Sequence, residues 1–421
     1  MKNIKYIKDG EFNMKKKDLI LFIIIFSIVF IYNFFISSVF SDEIWNYGVA
    51  YNISKGMIPY RDFNLVTTPL YPMMASTFIK IFGNFLYSFH IFNSIIVTII
   101  IIISYKKLGK NCFLVIPFIL LNSYPSYNIL CVLFIFILFL LVDYNFKYRD
   151  ALIGILIGCM FLTKQTVGIC LFVPMIYYSK SRLKSFISFM IPIFLFIIYL
   201  LWNSGLYKFL DYCFWGLFDF GNSNSILIYL PFEIIVVFIL CYKLFCSKFC
   251  DEKYFYVLMF QVITIPILDD YHFIVGFIPC LYLFLESITF VTYRFKYYLI
   301  MIWFLCVFSS IKLNHYHELH YILDKNSYLY GRNVPTYVEK SLYKIGNYIN
   351  DNKDDFDYVY FFSANAYWVK LNINYPITKY DMICNGNIGY KGDFKYIDEV
   401  NNYCSSHRCM FVLYKYEYKS N

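Results

Sequence analysis

Long apolar runs separated by short basic clusters constrain this chain more than any other feature of its sequence. Several runs reach the ~20 residues that a helix needs to cross the hydrocarbon core of a bilayer. Backbone groups in lipid must satisfy one another, so these runs are expected to be helices. Of the 421 residues, 60% are hydrophobic and 15% are charged, which excludes an ordinary soluble domain of this length. We therefore expect an α-helical polytopic membrane protein.

The apolar runs can be threaded as about eleven transmembrane helices, within a range of roughly 10–13. The first run, Leu19 to Phe40, is long and lacks a small-residue cleavage site, so it is interpreted as a retained span. The predicted spans cover residues 19–40, 85–104, 111–123, 126–142, 150–163, 166–178, 184–202, 226–246, 254–268, 272–290 and 297–313.

Basic clusters between the spans predict the orientation. Lys15, Lys16 and Lys17 precede the first span and place the N-terminus inside. In this threading every strong basic cluster between spans falls on the inner side. The net charge of +9 is therefore interpreted as a topological signal and not as a sign of nucleic-acid binding. The expected location is the plasma membrane, with a multi-pass topology.

Three regions follow from this threading: a cytoplasmic N-terminus (1–17), a transmembrane domain (18–313) and an extracytoplasmic C-terminal domain (314–421). In the last region, Asp357 to Phe362 resembles a strand, Val338 to Asn350 has helical spacing and Asn385 to Asn387 marks a turn. A small external α/β domain is expected. Its two close cysteines are interpreted either as a disulfide or as two free thiols; they are Cys404 and Cys409.

The first external loop, residues 41–84, is predicted to contain two juxtamembrane helices. Ser41 can cap a helix from Glu43 to about Ser54, with Asp42 and Glu43 in its first turn and Gly56 after its end. A second amphipathic helix is expected to begin near Pro72. Helix capping explains the two acids by itself, but carboxylates at a membrane edge often mark function.

Further polar residues fall on the same predicted external face. Lys164 lies at the outer end of a span, against the charge rule, and is interpreted either as a snorkelling lysine or as a phosphate site. Asp269 and His272 meet at another outer end, where a helix cap and a weak metal site are the alternatives to a substrate pocket. The turn from Ser123 to Asn128 is expected on the same face and is interpreted either as a lining of the same cavity or simply as a turn, and the simple turn is favoured. The cysteines show no metal-ligand spacing, and no metal or other cofactor is predicted.

This arrangement resembles the GT-C superfamily of membrane glycosyltransferases, which includes protein O-mannosyltransferases and the aminoarabinose transferases of lipid A. Many members have an acid pair after the first span, matched here by Asp42-Glu43. The other matches are Gly56 to Phe63, Thr68 to Tyr71, Thr163 to Gly168, and Pro266 with Asp269 and His272. Thr68 departs from the pattern, since many relatives have proline there. The resemblance covers about residues 18–300.

The resemblance implies transfer of a sugar, with inversion, from a polyprenyl-phosphate carrier to an extracytoplasmic acceptor such as a cell-surface glycan, a lipid or a protein of a bacterial cell envelope. It implies that Asp42 is the catalytic base and that Glu43 or Asp62 orients a substrate. Lys164 and Arg61 would hold the phosphate, and Asp269 with His272 would complete the pocket. Tyr71 and Gln165, within matched motifs, are the remaining predicted substrate-binding residues. Catalysis is expected without an essential divalent metal.

Two other classes of membrane protein were weighed. A polysaccharide polymerase typically uses external arginines, and few are expected here beyond Arg61, Arg332 and Arg408. A transporter or flippase usually has polar or broken-helix features at mid-membrane and internal repeats. The polar residues of this chain instead gather at one membrane surface, and no repeat is evident.

Overall fold

The computed structural model describes residues 16–36, 41–223, 227–287, 319–322, 327–361 and 388–412. Its described α-helices up to residue 287 are α1 (Lys16–Ile31), α2 (Ser41–Ser54), α3 (Leu70–Phe82), α4 (Leu86–Leu108), α5 (Ile116–Leu121), α6 (Tyr127–Asp143), α7 (Arg149–Phe161), α8 (Gln165–Tyr178), α9 (Arg182–Trp202), α10 (Leu206–Leu210), α11 (Gly216–Ser223), α12 (Leu230–Cys246), α13 (Glu252–Phe260) and α14 (Asp270–Ser287). Shorter helical turns of π or 3-10 type extend α1, α4, α10 and α13.

Three helical stretches in the described part of the chain are long and apolar enough to cross a membrane. They are Lys16–Phe34, Leu86–Leu114 and Arg182–Trp202. Shorter apolar helices pack beside them, including Tyr127–Asp143 and Gln165–Tyr178. The outward surface of α9 is apolar and exposed, as expected for a face in contact with lipid. The chain is thus an α-helical membrane protein, as its composition predicts.

Helices are present at each predicted span up to residue 287, and some boundaries differ. The predicted span 111–123 is a 3-10 turn, Gly109–Leu114, followed by the short α5. The predicted span 254–268 is α13 followed by a 3-10 turn, Gln261–Thr264. The predicted span 297–313 lies outside the described residues, so the number of eleven stays a prediction.

Two glycines allow α7 and α9 to approach closely. A Cβ atom on Gly154 would lie 2.6 Å from the carbonyl oxygen of Ser185, and one on Gly158 would lie 2.5 Å from that of Phe189. Gly168 of α8 is equally close to Phe161 of α7. Small residues four apart on a membrane helix favour such contacts. The three helices therefore form a tightly packed unit, with the α7–α8 turn at one end.

The two predicted helices of the first external loop exist, and both pack into the bundle. The first begins at Ser41, two residues before the predicted start, and ends before Gly56, whose φ of +88° suits glycine. It buries Ile44, Tyr47 and Ala50, whereas α3 buries Tyr71, Ala75 and Ile79. These helices are therefore part of the protein core and do not lie loosely on the membrane surface.

The loop between α2 and α3 is joined to the end of α7. The hydroxyl of Thr68 donates to the carbonyl of Phe161 at 2.7 Å, and the backbone N–H of Leu70 donates to Leu162 at 2.8 Å. A proline at position 68 would have no hydroxyl for this bond. These contacts hold the loop between α2 and α3 beside the α7–α8 turn.

The C-terminal region combines short strands with two helices. Strands β1 (Leu319–Tyr321) and β2 (Asn333–Pro335) are antiparallel, and β3 (Tyr358–Phe361) and β4 (Cys409–Val412) are parallel. The helices are α15 (Thr336–Asp351) and α16 (Gly392–Cys404). The predicted strand and helix are present, whereas the predicted turn Asn385 to Asn387 lies outside the described residues. Of the two alternatives for Cys404 and Cys409, the structure has the disulfide.

The segment between α9 and α12 binds the C-terminal region. Asp211, which is buried, accepts the backbone N–H of Tyr390 at 3.0 Å and the ammonium of Lys395 at 3.2 Å. Asp219 accepts the backbone N–H of Lys391 at 2.7 Å. These contacts fix α16 against the membrane part of the chain.

Candidate functional site

Asp42 stands in the first turn of α2, at the same end of the bundle as the α7–α8 turn. Its side chain is exposed, but surrounding protein still raises the pKa of its carboxyl. The nearby His272 opposes this rise and the nearby Asp269 adds to it. Asp42 and the Asp269–His272 pair, predicted separately from the sequence, therefore lie within electrostatic range of each other.

Asp269 and His272 form an ion-pairing dyad at the start of α14. Oδ1 of Asp269 is 2.8 Å from Nδ1 of His272 and also accepts the backbone N–H of His272 at 2.9 Å. These bonds lower the pKa of the Asp269 carboxyl, although partial burial opposes them. Asp269 is thus both the predicted helix cap and the partner of the imidazole. Because Nδ1 is engaged, the chemistry of His272 toward a ligand falls to Nε2.

Of the two alternatives for the turn from Ser123 to Asn128, its contacts favour a place beside Asp42 over a simple turn. Tyr124 stacks on Tyr271 with ring centroids 4.5 Å apart, and the Ser126 hydroxyl hydrogen-bonds the Tyr271 hydroxyl. Asp42 lies within electrostatic range of Tyr124 and Tyr271. The turn therefore forms an aromatic and hydroxyl wall beside Asp42.

Lys164 is half-buried at the α7–α8 turn and does not extend into solvent as a snorkelling lysine would. Its ammonium donates to the carbonyl of Ile263 at 2.8 Å and reaches Asn128 at 3.5 Å. It also lies 5.8 Å from the ring centroid of Tyr127. Desolvation lowers the pKa of Lys164 to about 8, while the negative charge of Asp269 opposes this. A cation with few neutralising neighbours favours an anionic ligand.

A cavity of about 80 Å³ opens beside Lys164 and His272. It holds several water molecules or one small anionic group, by the volume that a single water occupies. Most of its surface is aliphatic or aromatic, with polar atoms contributed by a few side chains. The lining residues are Val66, Thr67, Tyr127, Lys164, Gln165, Thr166, Leu217, Phe220, Ile265, Pro266, Ile267 and His272.

Glu43 occupies a different position from Asp42, although the two are adjacent in sequence. It is fully buried, and its Oε1 lies 2.5 Å from Nε2 of His90 and 3.5 Å from Nη2 of Arg332. A side chain enclosed in this way has no surface for a substrate. Glu43 therefore belongs to a buried charge cluster on the inner side of α2, and its predicted part in catalysis or in orienting a substrate stays a prediction.

Arg61 and Asp62 pair with each other. The guanidinium donates from Nε to Asp62 Oδ1 at 2.7 Å and from Nη2 to Oδ2 at 2.9 Å, and Asp62 also accepts the backbone N–H of Ile58. Arg61 lies within electrostatic range of Tyr199, near the end of α9. Among the described contacts, none joins this pair to Lys164 or to its cavity. Its predicted role toward phosphate or sugar stays a prediction.

Tyr71 and Gln165 are both buried but differ in position. Tyr71 packs against Phe89 and Phe92 and does not line the cavity, but it lies within electrostatic range of Tyr271. Gln165 lines the cavity while its amide donates to the carbonyls of Val66 and Cys213 at 3.0 and 2.9 Å. Gln165 therefore fixes the cavity wall, whereas the predicted substrate contact by Tyr71 stays a prediction.

The residues missed from the sequence left unequal signals. The run Ser123-Tyr124-Pro125-Ser126-Tyr127-Asn128 is polar and aromatic at a predicted outer turn, and could have been included. His90 lies within the apolar run of α4, and Arg332 lies far along the chain, so neither marked itself. Within the described residues, no three His, Cys, Asp or Glu side chains gather as they would around a metal ion.

Comparison with known proteins gave one similarity of interest. No family model matches the chain, and no curated protein matches it. Among solved structures, it is similar to the crystal structure of ArnT from Cupriavidus metallidurans bound to undecaprenyl phosphate, with 13% identity and a TM-score of 0.49. The superposition covers 69% of this chain and 63% of that chain, so this chain spans less than two thirds of ArnT.

Proposed function

We propose that this protein is a membrane glycosyltransferase that moves a sugar from a polyprenyl-phosphate carrier to an acceptor hydroxyl outside the cytoplasm. The observation that carries the proposal is the convergence of three motifs at one end of the bundle. An exposed carboxylate (Asp42), an Asp269–His272 dyad and a half-buried ammonium (Lys164) lie around one site, although more than 220 residues separate the first from the last along the chain.

The proposed reaction is a direct displacement with inversion at the anomeric carbon. The acceptor oxygen forms the new bond to that carbon as the bond to the phosphate oxygen breaks, and the lipid phosphate leaves with the electron pair. Asp42 takes the proton of the acceptor hydroxyl. Its raised pKa brings the carboxyl closer to the working pH, which strengthens it as a base.

Lys164 is proposed to stabilise the departing phosphate. Its ammonium donates to one carbonyl at 2.8 Å and has further hydrogens for phosphate oxygens. Charge that develops on the leaving group is stabilised most effectively by a cation already held in place and shielded from water. The apolar cavity wall formed by Leu217, Phe220 and Ile265 suits the first isoprenoid units of the carrier.

His272 is proposed to contact the sugar or the phosphate through Nε2. Asp269 fixes the orientation of the imidazole through Nδ1, so Nε2 is left to form a hydrogen bond with a phosphate oxygen or with a sugar hydroxyl. Tyr124 and Tyr271 supply flat surfaces on which a sugar ring can stack. We propose that transfer proceeds without an essential divalent metal.

The test is transfer of label from a panel of radiolabelled polyprenyl-phosphate sugars in membranes that contain the protein. Label should pass into a lipid, glycan or protein fraction with the native chain and not with Asp42→Asn. Mass spectrometry of surface glycans after gene deletion identifies the acceptor. Equal transfer by both forms would remove Asp42 from its role, and transport of an unmodified lipid-linked sugar would replace the proposal with a flippase.

A further inference from the structure

We infer that Arg332, from the C-terminal region, is a positioning residue that sets where Asp42 stands in the active site. The inference rests on the proposed function for its catalytic meaning. It assigns the C-terminal region a part in the site itself, through a guanidinium that contacts both the first membrane helix and α2.

The Arg332 side chain lies in the interior of the protein. It is fully enclosed, as is the carboxylate that it faces, Glu43. A buried arginine is costly unless its hydrogens and its charge both find partners. Nη1 donates to the backbone carbonyls of Asn33, at 2.6 Å, and of Phe34, and the guanidinium carbon lies 5.2 Å from the Phe34 ring centroid. Nε has no acceptor among the described residues, so the guanidinium is held through Nη1 and Nη2 alone.

The contacts of Arg332 connect the end of the first membrane-spanning stretch to the start of α2. Asn33 and Phe34 belong to the last helical turn of the first membrane-spanning stretch, and Glu43 belongs to the first turn of α2. Arg332 contacts both sides of the short link between them. Because Asp42 directly precedes Glu43, a fixed Glu43 fixes the backbone from which the proposed base projects.

Asn33 also contacts the turn that bears Tyr124, on the opposite wall of the site. The Ser123 hydroxyl donates to the side-chain oxygen of Asn33, and the Asn93 amide donates to the Ser123 carbonyl. Ser123 immediately precedes Tyr124, which faces Asp42. The carbonyl that Arg332 holds thus belongs to the same residue that anchors the aromatic wall.

Neighbouring contacts support the same arrangement. The Tyr328 ring stacks on Tyr47 of α2 with centroids 5.7 Å apart, and the Tyr328 carbonyl accepts the backbone N–H of Leu86 at the start of α4. On the other side of Glu43, His90 of α4 completes the cluster. Residues 327–332 therefore pack under α2 as part of its support.

The experiment combines a structural readout with a kinetic one, using Arg332→Lys in the full-length protein. Lysine keeps the charge but lacks the planar fork that reaches two carbonyls and a carboxylate together. We expect faster hydrogen–deuterium exchange in residues 41–48 and unchanged exchange in α7 to α9. For transfer from radiolabelled polyprenyl-phosphate sugars, we expect kcat to fall about 10- to 100-fold with little change in donor KM, as for a misplaced base.

A matched control is Arg408→Gln, which removes an exposed arginine of the same C-terminal region that pairs with Asp357. It should leave exchange in residues 41–48 and kcat unchanged. The double variant Glu43→Gln with Arg332→Gln removes both buried charges together and should also loosen residues 41–48. Unchanged exchange there in folded Arg332→Lys would overturn the inference, and so would an unchanged kcat. If no sugar is transferred even by the native chain, the proposed function fails. The exchange measurement then still tests whether Arg332 holds residues 41–48 in place.

Discussion

The imidazole of His272 lies 2.8 Å from a carboxylate oxygen of Asp269 that also caps the helix on which His272 stands. One oxygen therefore has a structural and an electrostatic duty at once. The two duties can be separated because asparagine caps helices nearly as well as aspartate.

We predict that Asp269→Asn lowers the transfer rate by about tenfold or more, since an amide lacks the carboxylate charge that faces the His272 ring in the native protein. Stability should stay within about 0.5 kcal/mol of the native protein because the cap persists. Asp269→Ala should lose both, with about 1 kcal/mol of additional destabilisation. Rates in membranes and thermal unfolding in detergent measure the two effects. Equal rates for the native and asparagine forms would show that the charge has no part in transfer.

We predict that Asp42→Asn lowers the rate by about 10²- to 10⁴-fold, the usual contribution of a positioned base. The thermal midpoint should be no lower than that of the native protein, because the folded environment disfavours the charged carboxyl. Asp18→Asn is the matched control, since Asp18 is a partly exposed acid at the opposite membrane surface. A comparable loss of rate in that control would point to a general effect of acid removal.

We predict that Lys164→Met raises the donor KM by about 10- to 100-fold, the value of a hydrogen bond to a charged group. Lys164→Arg should recover part of this because it restores the positive charge. Titration of the donor at saturating acceptor measures the change. A fall in kcat alone, at constant donor KM, would mean that Lys164 acts on the transition state only or merely supports the α7–α8 turn.

We predict a bell-shaped dependence of kcat/KM on pH. The acidic limb follows Asp42, which acts only when deprotonated and whose pKa lies above the ordinary aspartate range. The basic limb follows Lys164, which binds phosphate only when protonated and loses its charge near pH 8. The groups that face Asp42 are His272 and Asp269, and those that face Lys164 are Asp269 and Cys131.

A variant of His272 tests whether the acidic limb of this pH dependence belongs to Asp42. His272 lowers the pKa of Asp42, so His272→Gln should move the acidic limb to higher pH. Movement of that limb to lower pH would contradict the assignment of Asp42 to it.

We predict that replacing Cys404 and Cys409 by serine destabilises the C-terminal region by about 2 kcal/mol, the entropy expected for closing so short a loop. The bond joins the end of α16 to β4. Unfolding of the isolated transmembrane helices should not change. Thiol alkylation with and without reductant, read by mass spectrometry, establishes the bond in the native chain; full alkylation of both cysteines without reductant would refute it.

Much of the membrane architecture could be predicted because apolar runs and basic clusters leave a periodic trace. Helices such as α4, α6 and α9 appear where the runs predict them, and the motifs around Asp42, Lys164 and Asp269 fall at one end of the bundle. Boundaries were less predictable: α13 passes into a 3-10 turn, a change of hydrogen bonding that composition does not mark.

The buried cluster could not be predicted for a different reason. Glu43 and Arg332 are 289 residues apart, and His90 lies in an otherwise apolar helix. A single pair of side chains leaves no repeat in a sequence. The sequence also does not show that the helix turns Asp42 to the site and Glu43 to the interior.

The glycine contacts between α7 and α9 have a mechanical consequence. Helices whose backbones are in contact have little freedom to separate. The turn that bears Lys164 is therefore held in a fixed position. The cavity beside it is smaller than any lipid-linked sugar. Room for such a donor has to come from the opposite wall of the cavity. That wall is formed by Leu217 and Phe220 of the short α11 and by the non-helical segment Ile265 to Ile267. Donor entry would then require α11 and the segment Ile265 to Ile267 to move away from Lys164, which stays in place.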